Sequence, residues 1–277
     1  MSETTQKIER VHQPSPLEFY QRFVKANRPA VLTGLTHGWA AIKKWSPDYF
    51  RANYPNAKVA YTAWERSDSG DDPTAYYRNR KRRTTTLGQF IESMNQSPST
   101  RDYISQFPIL NELPQLADDF QSLDAYMNIP ELYPAKLRRK LRKAATLWLG
   151  PQGIVTPVHF DSAHNLLVQI RGHKKLILIP PQQSKLLYYP RLELGHVNFS
   201  PVDVEAPDFE RFPRFRHATP LELELAPGEV LFIPVRWWHY ARALEQTISI
   251  NFWWFSMDSL RRMWHPYLVY KMSRLFR

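Results

Sequence analysis

The chain has no cysteine among its 277 residues, and that absence removes a group of chemistries at once. Disulfide frameworks, zinc–thiolate sites and thiol nucleophiles are all excluded. No stretch approaches the roughly 18 to 20 consecutive apolar residues that a membrane-spanning helix needs. Internal repeats and low-complexity segments are missing too, so one large or two small globular domains are expected. Residues Met1 to Arg10 are polar and mixed in charge, unlike a signal peptide. A soluble, cytoplasmic protein is the expectation from these absences.

What is present is ordinary in bulk and uneven in detail. Hydrophobic residues make up 43% and charged residues 23% of the chain, normal values for a globular protein. Proline is enriched, at 23 residues against roughly 5% on average, which suits many short strands joined by turns. The formal charge is +11. Two runs without any acid carry as many positive charges as that whole excess: Arg78, Arg80, Lys81, Arg82 and Arg83, then Lys136, Arg138, Arg139, Lys140, Arg142 and Lys143. Such runs attract nucleic acid or other polyanions. A solvated loop and a solvated helix face account for them equally well.

The N-terminal half mixes elements. Pro14 to Phe23 reads as a capped short helix, Ala30 to Thr33 as a strand, and Trp45 to Phe50 as a helix with Ser46 at its N-cap and Pro47 in its first turn. Lys58 to Trp64 alternates like a strand, Thr86 to Ile91 begins a helix, and Arg101 to Ser105 reads as a strand. Residues 111–143 read as helical, interrupted by Pro114, Pro130 and Pro134. From Ala144 the texture changes. Short β-type segments fall at 145–149, 153–158, 165–170, 174–179, 221–225, 229–233, 239–243 and 247–254, punctuated by Gly172, Pro180-Pro181 and Pro227-Gly228. This pattern predicts a mainly β jelly roll or related barrel. The long interval 182–220 reads as a short helix at Gln182–Leu187 and then a functional or disordered loop. The tail from Met257 is amphipathic and reads as a helix. Three regions of one structural unit are expected: an N-terminal α/β region, 1–143, packing on the core; the β core, 144–256; and the helical tail, 257–277.

Thr156-Pro-Val-His-Phe-Asp161 organises the β region chemically. On a strand His159 and Asp161 project to one side, while Phe160 points away. They supply two of the three groups in a 2-His-1-carboxylate facial triad, which holds non-heme iron. His239, in Pro227 to Tyr240, is the expected third ligand, at the end of a hydrophobic strand. The remaining histidines, His12, His37, His164, His173, His196, His217 and His265, read as core or surface residues. Lys174 shares a strand face with Leu176 and Leu178. Buried lysines are rare unless an anion is near, so a bound carboxylate is expected there, with Tyr103 and Thr156 as hydroxyl donors. Thr156 and His159 have odd spacing, and Pro157 is expected to mark the bulge that turns both inward. Thr247, Ser249, Asn251 and Trp253 share one face of the last strand, opposite Ile248, Ile250 and Phe252, and suggest a pocket wall.

The segment from Trp148 to Trp254 resembles the JmjC domain of the cupin-type Fe(II)/2-oxoglutarate oxygenases. The matching text is Gly153-Ile-Val-Thr-Pro-Val-His-Phe-Asp161, Asn165 to Lys174, Pro207 to Pro213, Gly228 to His239 and Asn251-Phe-Trp253, with Arg28 to Gly34 near the N-terminus. It is similar to the hydroxylase branch that includes the asparaginyl hydroxylase acting on hypoxia-inducible factor and the tRNA wybutosine hydroxylase. The resemblance implies a double-stranded β-helix, with Fe(II) on His159, Asp161 and His239. It implies 2-oxoglutarate on Lys174, Thr156 and Tyr103, with Asn165 and Asn251 by its iron-chelating end, and O2 as second cosubstrate. The implied reaction hydroxylates a C–H bond of a protein side chain or an RNA base and releases succinate and CO2. Asp161 resembles the hydroxylases more than the demethylases of the family, which commonly use glutamate. A demethylase, a cupin-fold metal-binding protein without turnover, and an RNA- or ribosome-binding module remain alternative readings. The basic runs Arg78–Arg83 and Lys136–Lys143 are candidate contacts for a protein or ribonucleoprotein partner. The C-terminal helix either mediates a homodimer, as in some relatives, or caps its own barrel.

Overall fold

The computed structural model describes residues 7–63, 81–97, 100–127, 145–189 and 198–256. Two largely antiparallel sheets dominate them. The larger has the strand order β1(Glu9–His12), β2(Ala30–Thr33), β11(Val230–Ile233), β8(His164–Arg171), β13(Thr247–Trp254), β6(Ala145–Gly150) and β5(Ile104–Phe107). The smaller is β10(Leu221–Leu225), β9(Lys174–Ile179), β12(Trp238–Ala243) and β7(Val155–Phe160). A ribbon of β3(Lys58–Ala63) and β4(Lys81–Thr86) stands beside them, tied to the larger sheet through a Thr62–Tyr103 bridge. From β6 to β13 the chain winds between the two sheets, which gives the mainly β jelly-roll core expected from the sequence.

Side-chain alternation divides the apolar residues into three layers. Leu166, Val168 and Ile170 of β8 and Ile248, Ile250 and Phe252 of β13 face outward, onto Phe19, Phe23, Trp45, Phe90 and Ile91 of the N-terminal elements. Leu167, Leu176, Leu178, Leu231 and Ile233 meet between the sheets. Val158, Phe160, Ile177, Ile179 and Trp238 cover the outer face of the smaller sheet, beneath Val202, Val204, Phe212 and Phe215. Each fully buried side chain of this size contributes about 1.5–3 kcal/mol, so all three layers matter to the fold.

Local sequence explains the elements that brace the larger sheet. Ser46 caps the helix Pro47–Asn53 by accepting from the Tyr49 N–H at 3.0 Å, with Pro47 in the first turn. The helix Leu87–Gln96 starts in a capping box between Thr86 and Gln89, and buries Leu87, Phe90, Ile91 and Met94 on one face. Residues Pro181–Leu186 form the short helical turn expected near 182–187, as a 3-10 turn.

Four readings change. Residues 111–143 do not make an extended helix as far as they are described: one α-turn, Ile109–Glu112, passes into a 3-10 stretch at Pro114–Asp119 and then irregular chain to 127. Pro114 removes the donor that would continue the helix. Asp119 then accepts from the Trp45 indole at 2.8 Å and the Lys44 ammonium at 2.7 Å, which fixes the irregular path. The strand predicted at 101–105 lies at 104–107, and the one predicted at 153–158 begins at Val155, after a turn at Gly153 with φ 78°. Lys81, Arg82 and Arg83 belong to the exposed strand β4 rather than a loop. Arg78, Arg80, the Lys136–Lys143 run, His196, His265 and the tail 257–277 lie outside the described residues. Among the described residues, no helix is long and apolar enough to cross a membrane.

Candidate metal centre

His159 on β7 and His239 on β12 are direct cross-strand partners, their ring centroids 4.2 Å apart. Asp161 follows immediately after β7. One ligand atom from each of the three lies within 4.8 Å of the others, a cluster that could hold a metal ion. Both imidazoles place Nδ1 against a main-chain carbonyl, His159 on Pro157 at 2.8 Å and His239 on Trp237 at 3.0 Å. A carbonyl only accepts, so Nδ1 carries a proton in both rings and Nε2 is the atom left to face a metal. Asp161 Oδ2 accepts from the Trp253 indole at 3.0 Å and lies 3.7 Å from His239 Nε2. Burial, and then the neighbouring His239, push the His159 pKa down to about 4, so this imidazole is neutral at pH 7. Two imidazoles and one carboxylate are a ligand set that suits a divalent transition metal. Phe199 stacks on His159 at 5.0 Å and shields that side of the cluster.

The bulge expected at Pro157 exists. His239 pairs with His159 and Ala241 with Thr156, so Pro157 and Val158 of β7 together oppose Tyr240 of β12. That extra residue brings Thr156 onto the face of His159, and both line one pocket.

Lys174 occupies the far end of the same pocket. It is 4% exposed, and its ammonium donates to Ser249 Oγ at 2.7 Å and to the Tyr103 hydroxyl at 3.4 Å. Ser249 in turn donates to Gln169 Oε1 at 2.9 Å. The Gln169 amide donates to the carbonyls of Arg171 and Gly172, both at 2.8 Å. Among the described residues no carboxylate reaches Lys174, and burial brings its pKa down to about 7. A cation held this way is the environment a bound anion would complete.

All eight candidate residues line this pocket: Thr156, His159, Asp161, His239, Lys174, Tyr103, Asn165 and Asn251. The Asn251 amide donates to Asn165 Oδ1 at 3.1 Å, joining two strands beside the cluster. His164 stays outside it, buried, with Nδ1 accepting from the Val235 N–H and Nε2 beside the Ser256 hydroxyl, both at 3.0 Å. Several residues of the site were not singled out from sequence. Gln169 was findable, since it shares the inward parity of Asn165 and Leu167 on β8. Trp148, by the same alternation on β6, was also findable. Gln106, at a left-handed φ of 50°, and Phe199, in a loop, carry no periodic signal.

Residues 16–259 match a family model described as "Cupin-like domain". The chain is similar to the protein of Xenopus tropicalis named lysine-specific demethylase 8, 33% identical over 248 residues, which cover 89% of this chain and 52% of that protein. The corresponding protein of Danio rerio is 32% identical over 90% of this chain and 59% of its own length. A human protein named bifunctional peptidase and (3S)-lysyl hydroxylase JMJD7 is 28% identical over 87% of this chain and 81% of its own length. The chain thus spans about half the length of the demethylase-named relatives.

Proposed function

The chain belongs to the cupin-like domain family, and from that premise we propose that it is an Fe(II)- and 2-oxoglutarate-dependent oxygenase that hydroxylates a C–H bond. One observation carries the reading: a single pocket holds the His159–Asp161–His239 cluster at one end and, at the other, a buried lysine whose partners among the described residues are hydroxyls. A site for iron alone has no use for Lys174. A site for iron and a dicarboxylate uses both ends.

In this reading His159, Asp161 and His239 hold the iron, and Lys174 pairs with the distal carboxylate of 2-oxoglutarate. The Thr156 and Tyr103 hydroxyls lie along that carboxylate, and Asn165 and Asn251 lie by the chelating end. Bound iron, with 2-oxoglutarate and O2, supplies the oxidation: one oxygen atom enters the substrate C–H bond, the other enters succinate, and CO2 leaves. The chain's own part is positional. Ser249 and Gln169 hold the ammonium in place, Trp253 fixes Asp161, and Leu167, Leu176 and Ile233 keep water from the passage between the two ends.

The substrate is a protein side chain or an RNA base. The likeness to a protein named a lysyl hydroxylase favours a side chain, while the motif resemblance to asparaginyl and wybutosine hydroxylases keeps both classes open. A second reading, demethylation, rests on the relatives named lysine-specific demethylases. The two share their first step, because hydroxylating an N-methyl group gives a carbinolamine that loses formaldehyde. Incubating the Fe(II)-loaded protein with 2-oxoglutarate and cell extract separates them: a +16 Da product without formaldehyde supports hydroxylation, and formaldehyde supports demethylation. A cupin that holds metal without turnover would make no succinate.

A further inference from the structure

The segment that crosses the outer face of the smaller sheet has a feature that neither the metal cluster nor the pocket uses. Phe209-Glu-Arg-Phe-Pro-Arg-Phe-Arg-His217 interleaves arginines with aromatics. Phe212 and Phe215 are buried against the sheet and anchor the segment, while Arg211, Arg214 and Arg216 are exposed. Each guanidinium lies over a ring: Arg211 over Phe212 at 5.0 Å, Arg214 over Tyr188 at 4.3 Å and Arg216 over Phe209 at 4.8 Å. The Tyr188 hydroxyl also accepts from the Arg214 main-chain N–H at 2.7 Å, which ties ring and arginine together. Among the described residues none of the three forms an ion pair with a carboxylate. The acid within the stretch, Glu210, is exposed, and Asp208 just before it accepts through Oδ1 from the N–H groups of Glu210 and Arg211. Lys185, exposed on the neighbouring 3-10 turn that packs against this segment, adds a fourth positive charge.

We propose that this arginine–aromatic surface binds single-stranded RNA. A guanidinium resting on a ring keeps its N–H edge for phosphate and its outer face for a base. Partly exposed rings beside it add planes on which further bases stack. An acidic peptide would use the charged edges and leave the stacked planes without purpose, so the geometry favours nucleic acid. The surface lies on the outside of the sheet whose strands carry His159 and His239 inside. The segment that bears it begins at Phe199, stacked on His159. An RNA held there lies on a part of the chain continuous with the residue that stacks on the metal cluster.

The test uses the full chain without added metal or cosubstrate, so its outcome does not depend on oxygenase activity. Fluorescence anisotropy of a labelled oligouridylate of about 20 nucleotides is followed against salt, with an oligoglutamate peptide as the rival ligand. Changing Arg211, Arg214 and Arg216 together to alanine is expected to weaken RNA binding about tenfold or more. The same change should lower the salt slope by about 2, since each phosphate left without its cation removes about 0.7. The triple lysine variant keeps the charge and is expected to retain the salt slope while losing affinity, because the stacked planes are gone. Far-ultraviolet circular dichroism confirms folding, and the single variants Arg214→Ala and Arg216→Ala serve if the triple change unfolds the chain. No binding of RNA at low salt, equal binding by the alanine variant, or tighter binding of the acidic peptide at this surface overturns the proposal.

Discussion

Lys174 carries a cost to the fold and, in the proposed function, a use in the site. Its ammonium is buried among hydroxyls, and burial lowers its pKa to about 7 from an ordinary 10.5. Between those values the unfolded chain binds more protons than the folded one, so Lys174 makes stability rise with pH across that window. Lys174→Met removes the desolvated cation and keeps the volume. Thermal denaturation is expected to show the variant's Tm equal to or a few degrees above wild type. The same change should weaken 2-oxoglutarate binding about 10- to 100-fold, the worth of a charge-assisted contact, as measured by calorimetry. Because the carboxylate needs the protonated ammonium, affinity in the wild type should fall about tenfold per pH unit above 7. At the other end of the pocket Trp253 orients Asp161. Trp253→Phe should reduce affinity for a divalent metal by about tenfold, read by competition with a chelating dye. A variant that binds metal as wild type does would show that the indole is only packing. Lys174 was legible in the sequence because a lysine sharing a face with Leu176 and Leu178 breaks an apolar pattern. Trp253 was legible only as part of a wall, because its hydrogen bond to Asp161 joins residues far apart in the chain.

At the scale of elements, β7 shows how a local irregularity builds a site. A regular strand would aim Thr156 and His159 to opposite faces, and the extra residue at Pro157 and Val158 brings them together. The turn between β8 and β9 also joins backbone geometry to the pocket. Gly172 has φ 69°, and a Cβ there would meet the Gln246 carbonyl oxygen at 2.3 Å. Its own carbonyl accepts from Gln169, which holds Ser249 and so Lys174. Gly172→Ala should cost about 2 kcal/mol or more, seen as a lower midpoint in urea, and should weaken 2-oxoglutarate binding as well. Strands of the core were legible because apolar runs end at glycine or proline, and most observed ends lie within two residues of the predicted ones. The segment 198–217 was not, since its contacts, such as Phe199 on His159, follow no period. The irregular stretch after Pro114 also escaped, because Asp119 is fixed by Trp45 and Lys44 from elsewhere in the sequence.

The whole molecule depends on pairings that leave no local trace. β2 joins β11 through partners such as Ala30 and Phe232, and β5 closes the opposite edge of the same sheet. The outer face of that sheet is covered by Phe19, Phe23, Trp45 and Phe90 from the N-terminal elements. A fragment of residues 145–256 would expose this apolar face and two sheet edges. It is expected to be aggregated or poorly dispersed in a two-dimensional amide spectrum, whereas sharp dispersion would show that the β core stands alone. The pocket that holds His159, Asp161, His239 and Lys174 lies between the two sheets of this assembly. The most direct test of its proposed function follows 2-oxoglutarate and succinate by proton NMR in purified protein with Fe(II) and O2, beside His159→Ala. The wild type is expected to consume 2-oxoglutarate with matching succinate, uncoupled from substrate if none is added, and His159→Ala to show none above background. Absence of succinate from folded, iron-loaded wild type, or equal turnover by His159→Ala, would contradict that function.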